Sequence, residues 1–197
     1  FDSADKIVGM APNSMSAAEN GLLGELYPEI LNAETGYING SDVNLEELMK
    51  LDPDVVFYNA SQKEQGDQLR NAGFAAVAIS VNKWEYNSIE TLNEWIKLLS
   101  EIFPDNEKSE LVANYSKEIY DMVQGRVAEI PEEERERVFF FYKYTDTSME
   151  TSGANFFGQF WADAVGAINV AEELGTDNQV AANMEQVYVW NPSMIYI

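Results

Sequence analysis

One local pattern occurs twice in this chain, and the repeat limits its fold more than any other feature. Residues 44–58 read NLEELMKLDPDVVFY, and residues 183–197 read NMEQVYVWNPSMIYI. Each copy has an Asn, an apolar residue and a Glu, then an amphipathic turn or two, an acidic or amide residue, a Pro and an apolar run. Asn caps the start of a helix and Pro ends one. Each copy therefore predicts a short capped helix followed by a buried strand.

Strands and helices alternate along the rest of the chain. Apolar runs predict strands at residues 6–10, 54–59, 75–80 and 138–144. Apolar residues at three- and four-residue steps, with caps and breakers, predict helices at 16–23, 62–71, 88–103 and 156–165. Segments 26–42 and 145–155 lack a sustained period and are predicted to connect these elements. The alternation favours parallel sheets with helices on their faces.

A long helical pattern separates two such regions. Residues 106–129 predict one helix of about 36 Å, at about 1.5 Å per residue. We therefore expect an α/β fold of two lobes, each with a mainly parallel sheet flanked by helices, joined by this long helix. The predicted division is an N-terminal lobe at 1–104, the joining helix at 105–130 and a C-terminal lobe at 131–197.

The composition excludes several classes of function. The 34 acidic and 12 basic residues give a net charge of −22, which repels phosphate backbones and anionic membrane surfaces, so we expect no nucleic-acid partner. The sequence has no Cys and no His, which excludes thiolate nucleophiles, sulfur or imidazole metal sites and Ser-His-Asp hydrolysis. Carboxylates, Lys and Tyr remain for any catalysis, so the composition favours a binding protein.

Each copy of the repeat leaves one glutamate without a structural task. Asn44 and Asn183 are good N-caps, and Glu47 and Gln186, three residues further on, complete capping boxes. Glu46 and Glu185 lie one residue earlier and are not needed to close the cap. They are either favourable first-turn acids or groups free to bind a partner.

These segments resemble a known family. In order, VNLEELMKLDPDVVFYNAS, the long helix, TSGANFFGQFWADAVGAINVAEEL and NMEQVYVWNPSMIYI resemble the substrate-binding proteins of ABC importers for iron–siderophore complexes, haem, cobalamin and, in one branch, molybdate or tungstate. The resemblance covers nearly the whole chain. It implies a monomeric, extracytoplasmic protein, periplasmic or lipid-anchored, that holds its ligand between two lobes joined by a single long helix.

The resemblance also carries expectations for particular residues. Family members use one surface glutamate on each lobe to engage arginines of the membrane permease, and Glu46 and Glu185 match these positions. The GxxNVA segment, residues 166–171, is interpreted as structural. Family members usually have further strands and helices at both ends and an export signal, so we expect that this chain is trimmed at both ends.

Candidate ligand-binding residues lie in loops that follow predicted strands, where ligands bind in open parallel sheets. Two of these loops place a Lys among aromatic residues, NKWEY at 82–86 and YKYTD at 142–146, a combination suited to an anionic metal chelate or oxyanion. The alternative is that the aromatic residues pack in the core or at its rim, that the lysines are solvated, and that residues 155 and 156 only anchor the next helix. The candidates are Asn59, Lys83, Trp84, Tyr86, Tyr142, Lys143, Tyr144, Asn155 and Phe156.

Three functions fit these observations. The first is a binding protein without catalytic activity or resident cofactor, which delivers a ferric chelate, haem, cobalamin or a molybdate-type anion to an ABC permease. The second is a two-lobe α/β enzyme of the chelatase type, with Glu85 or Asp146 as a base; the chain lacks the Gly-rich phosphate loop of nucleotide-binding enzymes. The third is an interaction module whose acidic faces bind a protein.

Overall fold

A computed structural model describes residues 1, 3–103, 107–145, 148–175 and 179–197. The chain divides into two compact units, residues 1–80 and residues 81–197. Within the described residues, none of the helices combines the length and the apolar character needed to cross a membrane.

The first unit contains short helices and two small sheets. Its helices are α1 (Pro12–Glu19), α2 (Leu22–Leu26), α3 (Leu45–Lys50) and α4 (Lys63–Asn71), with 3-10 turns at Ala4–Lys6 and Pro28–Asn32. Its strands are β1 (Ile38–Asn39), β2 (Asp42–Val43), β3 (Val56–Asn59) and β4 (Ala76–Ile79). Strands β3 and β4 pair in parallel, as expected for strands joined by a helical crossover.

A glycine sets how closely α4 approaches β3. An added Cβ at Gly66 would overlap the ring of Tyr58. The hydroxyl group of that tyrosine accepts a hydrogen bond from Arg70 on the same helix, and the guanidinium carbon lies 5.3 Å from the ring centroid. At the contact between α4 and β3, the ring of Tyr58 therefore fills the space that a side chain at position 66 would occupy.

Three expectations for the first unit were wrong. Residues 6–10 do not form a strand; the backbones of Val8 and Met10 bond that of Glu34 at 3.0 and 2.9 Å, which makes one isolated parallel bridge between Gly9 and Glu34. The predicted helix 16–23 is interrupted between α1 and α2, where the side-chain Nδ2 of Asn20 donates a hydrogen bond to the carbonyl of Ser16 at 2.8 Å. Segment 26–42 is not a plain connection, since it contains a 3-10 turn and the β1–β2 hairpin, which turns at Gly40 with a φ of 64°.

The second unit contains the longer helices and two larger sheets. Its helices are α5 (Ser88–Ile102), α6 (Glu107–Val127), α7 (Phe157–Val165) and α8 (Met184–Trp190). Its strands are β5 (Arg137–Phe140), β6 (Lys143–Tyr144), β7 (Met149–Ser152), β8 (Ile168–Asn169), β9 (Gln179–Ala182) and β10 (Met194–Tyr196). Strands β10, β5 and β8 form a parallel sheet in that order, and β6, β7 and β9 form an antiparallel sheet.

Strand β5 lies in the middle of the parallel sheet and carries the core on both faces. Phe139 packs with Trp190 on one face, with ring centroids 5.8 Å apart, while Val138 and Phe140 pack with Ala162 on the other. The predicted strand at 138–144 forms only in part, because β5 ends at Phe140 and residues 143–144 belong to β6 of the antiparallel sheet. Segment 145–155, predicted as a loop, instead contains β7. This strand is largely buried, and it was missed because its residues are mostly polar.

The buried amide of Asn169 ties the sheets to α7. Its Nδ2 donates to the carbonyl of Ser152 at 3.1 Å and to Oε1 of Gln159 at 3.0 Å, and its Oδ1 accepts from the amide of Ala171 at 3.1 Å. Gly166 ends α7 with a φ of 73°, which glycine adopts at little cost. These contacts support the structural interpretation of the GxxNVA segment.

The predicted long helix is present as α6. It has 21 residues and spans about 32 Å. It packs against α5, so both helices lie in the second compact unit. The predicted start of the helix at Asn106 lies outside the described residues, and the three-part division of the chain stays a prediction.

The close packing at Gly66 can be tested by two matched substitutions. We expect Gly66→Ala to lower the free energy of unfolding by about 1–3 kcal/mol, because the new methyl group meets the ring of Tyr58. Gly125→Ala in α6 should raise it by about 0.5–1 kcal/mol, since no described atom lies within 4 Å of the new Cβ and Ala is the better helix former. Chemical denaturation measures both, and equal effects would contradict this account of the α4–β3 contact.

Candidate functional site

Three of the predicted ligand-binding residues come together in the second unit. The ring centroid of Phe156 lies 5.0 Å from that of Tyr86 and 5.2 Å from that of Tyr142. Phe157 lies 5.0 Å from Tyr86 and 6.0 Å from Trp161. We call these five residues the aromatic cluster. Sequence reasoning missed Phe157 and Trp161, although their four-residue spacing on α7 indicates a shared helix face.

The elements of the fold hold the aromatic cluster at one end of the central strand. Tyr142 follows β5, and Phe156 occupies the N-cap position of α7. Gly158 allows α7 to approach, because an added Cβ would lie 2.6 Å from the Cβ of Ser152 and 2.8 Å from the ring of Phe140. The carboxyl end of a parallel strand is where ligands bind in such sheets.

The loop before α5 places Tyr86 in the cluster through an unusual backbone. Glu85 and Tyr86 both adopt positive φ values, 50° and 60°. For residues other than glycine, this conformation costs about 1–2 kcal/mol each. The turn is closed by hydrogen bonds from the amide of Glu85 to the carbonyl of Asn82 at 3.2 Å and from the amide of Asn87 to the carbonyl of Trp84 at 2.8 Å. Glu85, the alternative catalytic base, is exposed here.

Both candidate lysines are exposed and have neighbours in the second unit. The Nζ atom of Lys83 lies 4.7 Å from the ring centroid of Trp84, a cation–π distance. The Nζ atom of Lys143, on β6, lies 3.8 Å from a carboxylate oxygen of Glu150. The next residue, Tyr144, is exposed and contacts the ring of Phe141 at 6.2 Å between centroids. Asp146 lies outside the described residues.

The hydroxyl group of Tyr142 is buried within the aromatic cluster. It finds no hydrogen-bond partner of good geometry among the described residues. Burial raises the pKa of this phenol, against smaller opposing effects of Ser152 and the backbone of Gly158. Ser152 and the backbone of Gly158 interact with this hydroxyl group without meeting the geometry of a full hydrogen bond, so it is only weakly satisfied among the described residues.

The other two candidates, Asn155 and Asn59, are exposed residues. Asn155 immediately precedes Phe156. Asn59 ends β3 in the first unit, where its Oδ1 accepts hydrogen bonds from the amide of Ser61 at 2.9 Å and from its hydroxyl group at 2.8 Å. Asn59 therefore shapes the loop after β3.

That loop borders a polar pocket of the first unit, with a volume of about 640 Å³. The β1–β2 hairpin and the start of α4 form its walls. From the sequence, only the neighbouring Asn59 was named as a candidate; the glutamines at 62, 65 and 68 recur every three residues, which indicates one helix face. The lining residues are Ser41, Asp42, Val43, Ser61, Gln62, Lys63, Glu64, Gln65 and Gln68.

The two copies of the sequence repeat begin as capped helices, but only one capping box forms. In α8, Oδ1 of Asn183 accepts from the amide of Gln186 at 2.9 Å, and Oε1 of Gln186 accepts from the amide of Asn183 at 3.0 Å. In α3, Oδ1 of Asn44 accepts from the amides at 46 and 47. Its own amide donates to the carbonyl of Tyr37 at 2.7 Å, which leaves Glu47 to pair with Lys50 at 2.6 Å. The predicted box at Asn44 was therefore wrong.

The two helices also end alike. Asp52 and Asn191 have φ values of 47° and 46°, and each is followed by the Pro of the repeat. Between cap and stop, Glu46 and Glu185 are exposed, and neither makes an ion pair within the described part of the chain. The strands that follow are more exposed than predicted, since every residue of β10 is exposed and β3 alternates.

Comparison with known proteins gives a consistent picture. A family model described as periplasmic binding protein matches residues 7–197. The chain is 25% identical to the molybdate-binding protein MolA of Haemophilus influenzae, over all of this chain and 59% of that protein. It therefore spans little more than half of this curated relative.

Solved structures show the same fold. A periplasmic solute-binding protein from Veillonella parvula matches with a TM-score of 0.80 at 24% identity, over 98% of this chain and 57% of that one. MolA bound to molybdate matches with a TM-score of 0.76 at 22% identity, over 98% and 64%. The haem-binding protein HutB of Vibrio cholerae matches with a TM-score of 0.66 at 16% identity, over 98% and 72%. These likenesses confirm the predicted α/β fold class.

Replacing Tyr142 by Phe tests what its buried hydroxyl group contributes to stability. Because the hydroxyl group is only weakly hydrogen-bonded among the described residues, we expect the free energy of unfolding near pH 7 to stay unchanged or to rise by up to about 1 kcal/mol. Burial raises the pKa of this group in the folded state, so the wild type should lose stability relative to the variant as the pH rises above about 10. Urea unfolding at several pH values measures both, and a loss of stability at pH 7 would contradict this account.

Proposed function

Because the chain belongs to the periplasmic binding protein family, we propose that it is the substrate-binding component of an ABC importer. It captures a siderophore-type iron chelate, or a related metal complex, outside the cytoplasm and presents it to a membrane permease. It acts as a monomer, in the periplasm or anchored by a lipid at the cell surface. The relatives support this class of function, and they include the molybdate-binding protein MolA and the haem-binding protein HutB.

The observation that carries the proposal is the aromatic cluster at the carboxyl end of β5. Aromatic rings offer flat apolar walls to an organic chelate, and Lys83 and Lys143 stand on neighbouring segments of the same unit. An ammonium group near such a wall suits a ligand that is both apolar and anionic. The buried hydroxyl group of Tyr142 gives the wall one polar contact.

Charge favours a small or weakly charged complex over a highly charged one. The whole chain holds 12 basic residues, and of the two candidate lysines, Lys143 already faces Glu150. Two ammonium groups, one of them beside a carboxylate, balance only a small anionic charge. A ferric complex with few net charges, haem or a molybdate-type anion therefore fits better than a tris-catecholate.

The enzyme hypothesis has weaker support. Its candidate base Glu85 is exposed, whereas enzymes usually tune a carboxylate base by burial. Binding requires contacts rather than proton transfer, and the aromatic cluster and lysines supply such contacts without a catalytic group. We therefore propose transport and not catalysis.

Ligand titration tests the proposed site. Ferric siderophores, haem, cobalamin and molybdate are added in turn while Trp fluorescence is followed, because Trp84 and Trp161 lie at the site. We expect a saturable response to one of them, and about tenfold weaker binding after Lys83→Ala or Lys143→Ala. Lys117→Ala, whose ammonium group pairs with Asp121 at 2.8 Å on α6, is the control. If neither site variant changes the affinity, the assigned site is wrong; if nothing binds, the importer proposal fails.

Docking to the permease is tested separately. We expect Glu46→Gln combined with Glu185→Gln to abolish uptake and to leave ligand affinity unchanged, because both carboxylates are exposed and lie outside the aromatic cluster. The control is Glu29→Gln combined with Glu132→Gln, which removes the same charge from exposed positions in the same two units. Loss of ligand affinity in the first pair, or equal loss of uptake in both pairs, would refute the docking role.

A further inference from the structure

Helix α8 has two faces of opposite character. Val187 and Trp190 point into the core, each with 6% of its surface exposed. On the other face lie Glu185, Tyr188 and Val189, and the last two are 78% and 83% exposed. Residues three and four positions apart share a helix face, so the carboxylate and the two apolar side chains form one surface. We call these three residues the α8 face.

The equivalent face of α3 is more polar. The repeat aligns Glu46 with Glu185 and Met49 with Tyr188, and Met49 is 50% exposed. At the position of Val189, however, α3 has Lys50, which pairs with Glu47. The cap, the left-handed stop and the glutamate are thus common to both helices, while the apolar surface is much larger on α8.

Exposed aromatic and branched apolar residues around a charged group are typical of a protein interface. Contacts of this kind are dominated by a few large side chains, often Tyr, while isolated surface charges contribute little affinity. In α8, Glu185 can select a cationic partner and Tyr188 and Val189 can supply the buried area. Glu185 would therefore determine which partner binds, and Tyr188 and Val189 would supply most of the affinity.

We propose that the α8 face is an energetic anchor of permease docking, with Tyr188 and Val189 packed on an apolar surface around the cation that Glu185 pairs. This inference rests on the proposed importer function and extends it. Helix α3 contributes its carboxylate and Met49, and its contact is weaker because Lys50 replaces the second apolar residue.

Charge identifies the occupant as a cationic protein surface. A second copy of this chain would bring another net charge of −22 toward Glu185, which opposes association. A further segment of this chain would have to supply a counter-charge for that carboxylate as well as apolar surface. A permease surface with an arginine in an apolar rim satisfies both the carboxylate and the exposed side chains.

The test measures binding of the full-length protein to the permease encoded beside it, reconstituted in nanodiscs. We expect Tyr188→Ala to raise the Kd about tenfold or more, Val189→Ala to raise it less, and Met49→Ala to raise it least. Tyr115→Ala is the matched control, because Tyr115 is 62% exposed on α6, and its Kd should stay within about twofold of the wild type. Thermal midpoint, oligomeric state and the fluorescence response to haem and molybdate should not change.

The outcomes distinguish this inference from the proposal it rests on. If the glutamate pair variant loses binding while Tyr188→Ala behaves like Tyr115→Ala, the anchor is overturned and the importer function stands. If the wild type does not bind the permease, both fail. If Tyr188→Ala lowers the thermal midpoint or changes the oligomeric state of the protein alone, its own chain or a second copy covers the α8 face, and the inference is overturned.

Discussion

The second unit depends on one buried amide. Asn169 lies 2% exposed at the end of β8 and bonds the end of β7, the side chain of Gln159 on α7 and the backbone at Ala171. An unpaired amide at such a site would cost about 1–3 kcal/mol, so its partners are held in one arrangement. The loop from Ser152 leads directly to Phe156, and α7 carries Phe157 and Trp161. The aromatic cluster therefore has its shape because this amide fixes the elements on which it stands.

The two helices of the repeat show how a shared frame is adapted to different contacts. Cap, glutamate, left-handed stop and proline recur, so the backbone presents a carboxylate in the same way in each unit. The residues that differ neither cap nor end the helix. Met49 and Lys50 in α3, and Tyr188 and Val189 in α8, lie on faces free to change without affecting the core. Such a division suits a protein that keeps its fold while its partner surface diverges.

Features set by residues close together in the sequence were predictable, and contacts between residues far apart in the sequence were not. The apolar run of β5 predicted a central strand, and the spacing along α5, α6 and α7 predicted those helices, because these features are local. Strand β7 was missed since Thr151 and Ser152 are polar yet fully buried, and the capping box at Asn44 failed because a distant carbonyl, that of Tyr37, satisfies its amide first. At the site, the loops of Tyr86, Tyr142 and Phe156 were identified, but their meeting depends on the left-handed turn at 85–86, which Glu and Tyr rarely adopt.

That turn has a consequence for how the protein can change. Glu85 and Tyr86 hold an unfavourable backbone, so the ring of Tyr86 is positioned at the expense of folding free energy. A glycine at position 85 would relax the turn and also release the ring to several orientations. Under the proposed binding role of the aromatic cluster, stability and affinity are coupled in opposite directions at this one position, so substitutions selected there for heat resistance would weaken ligand binding.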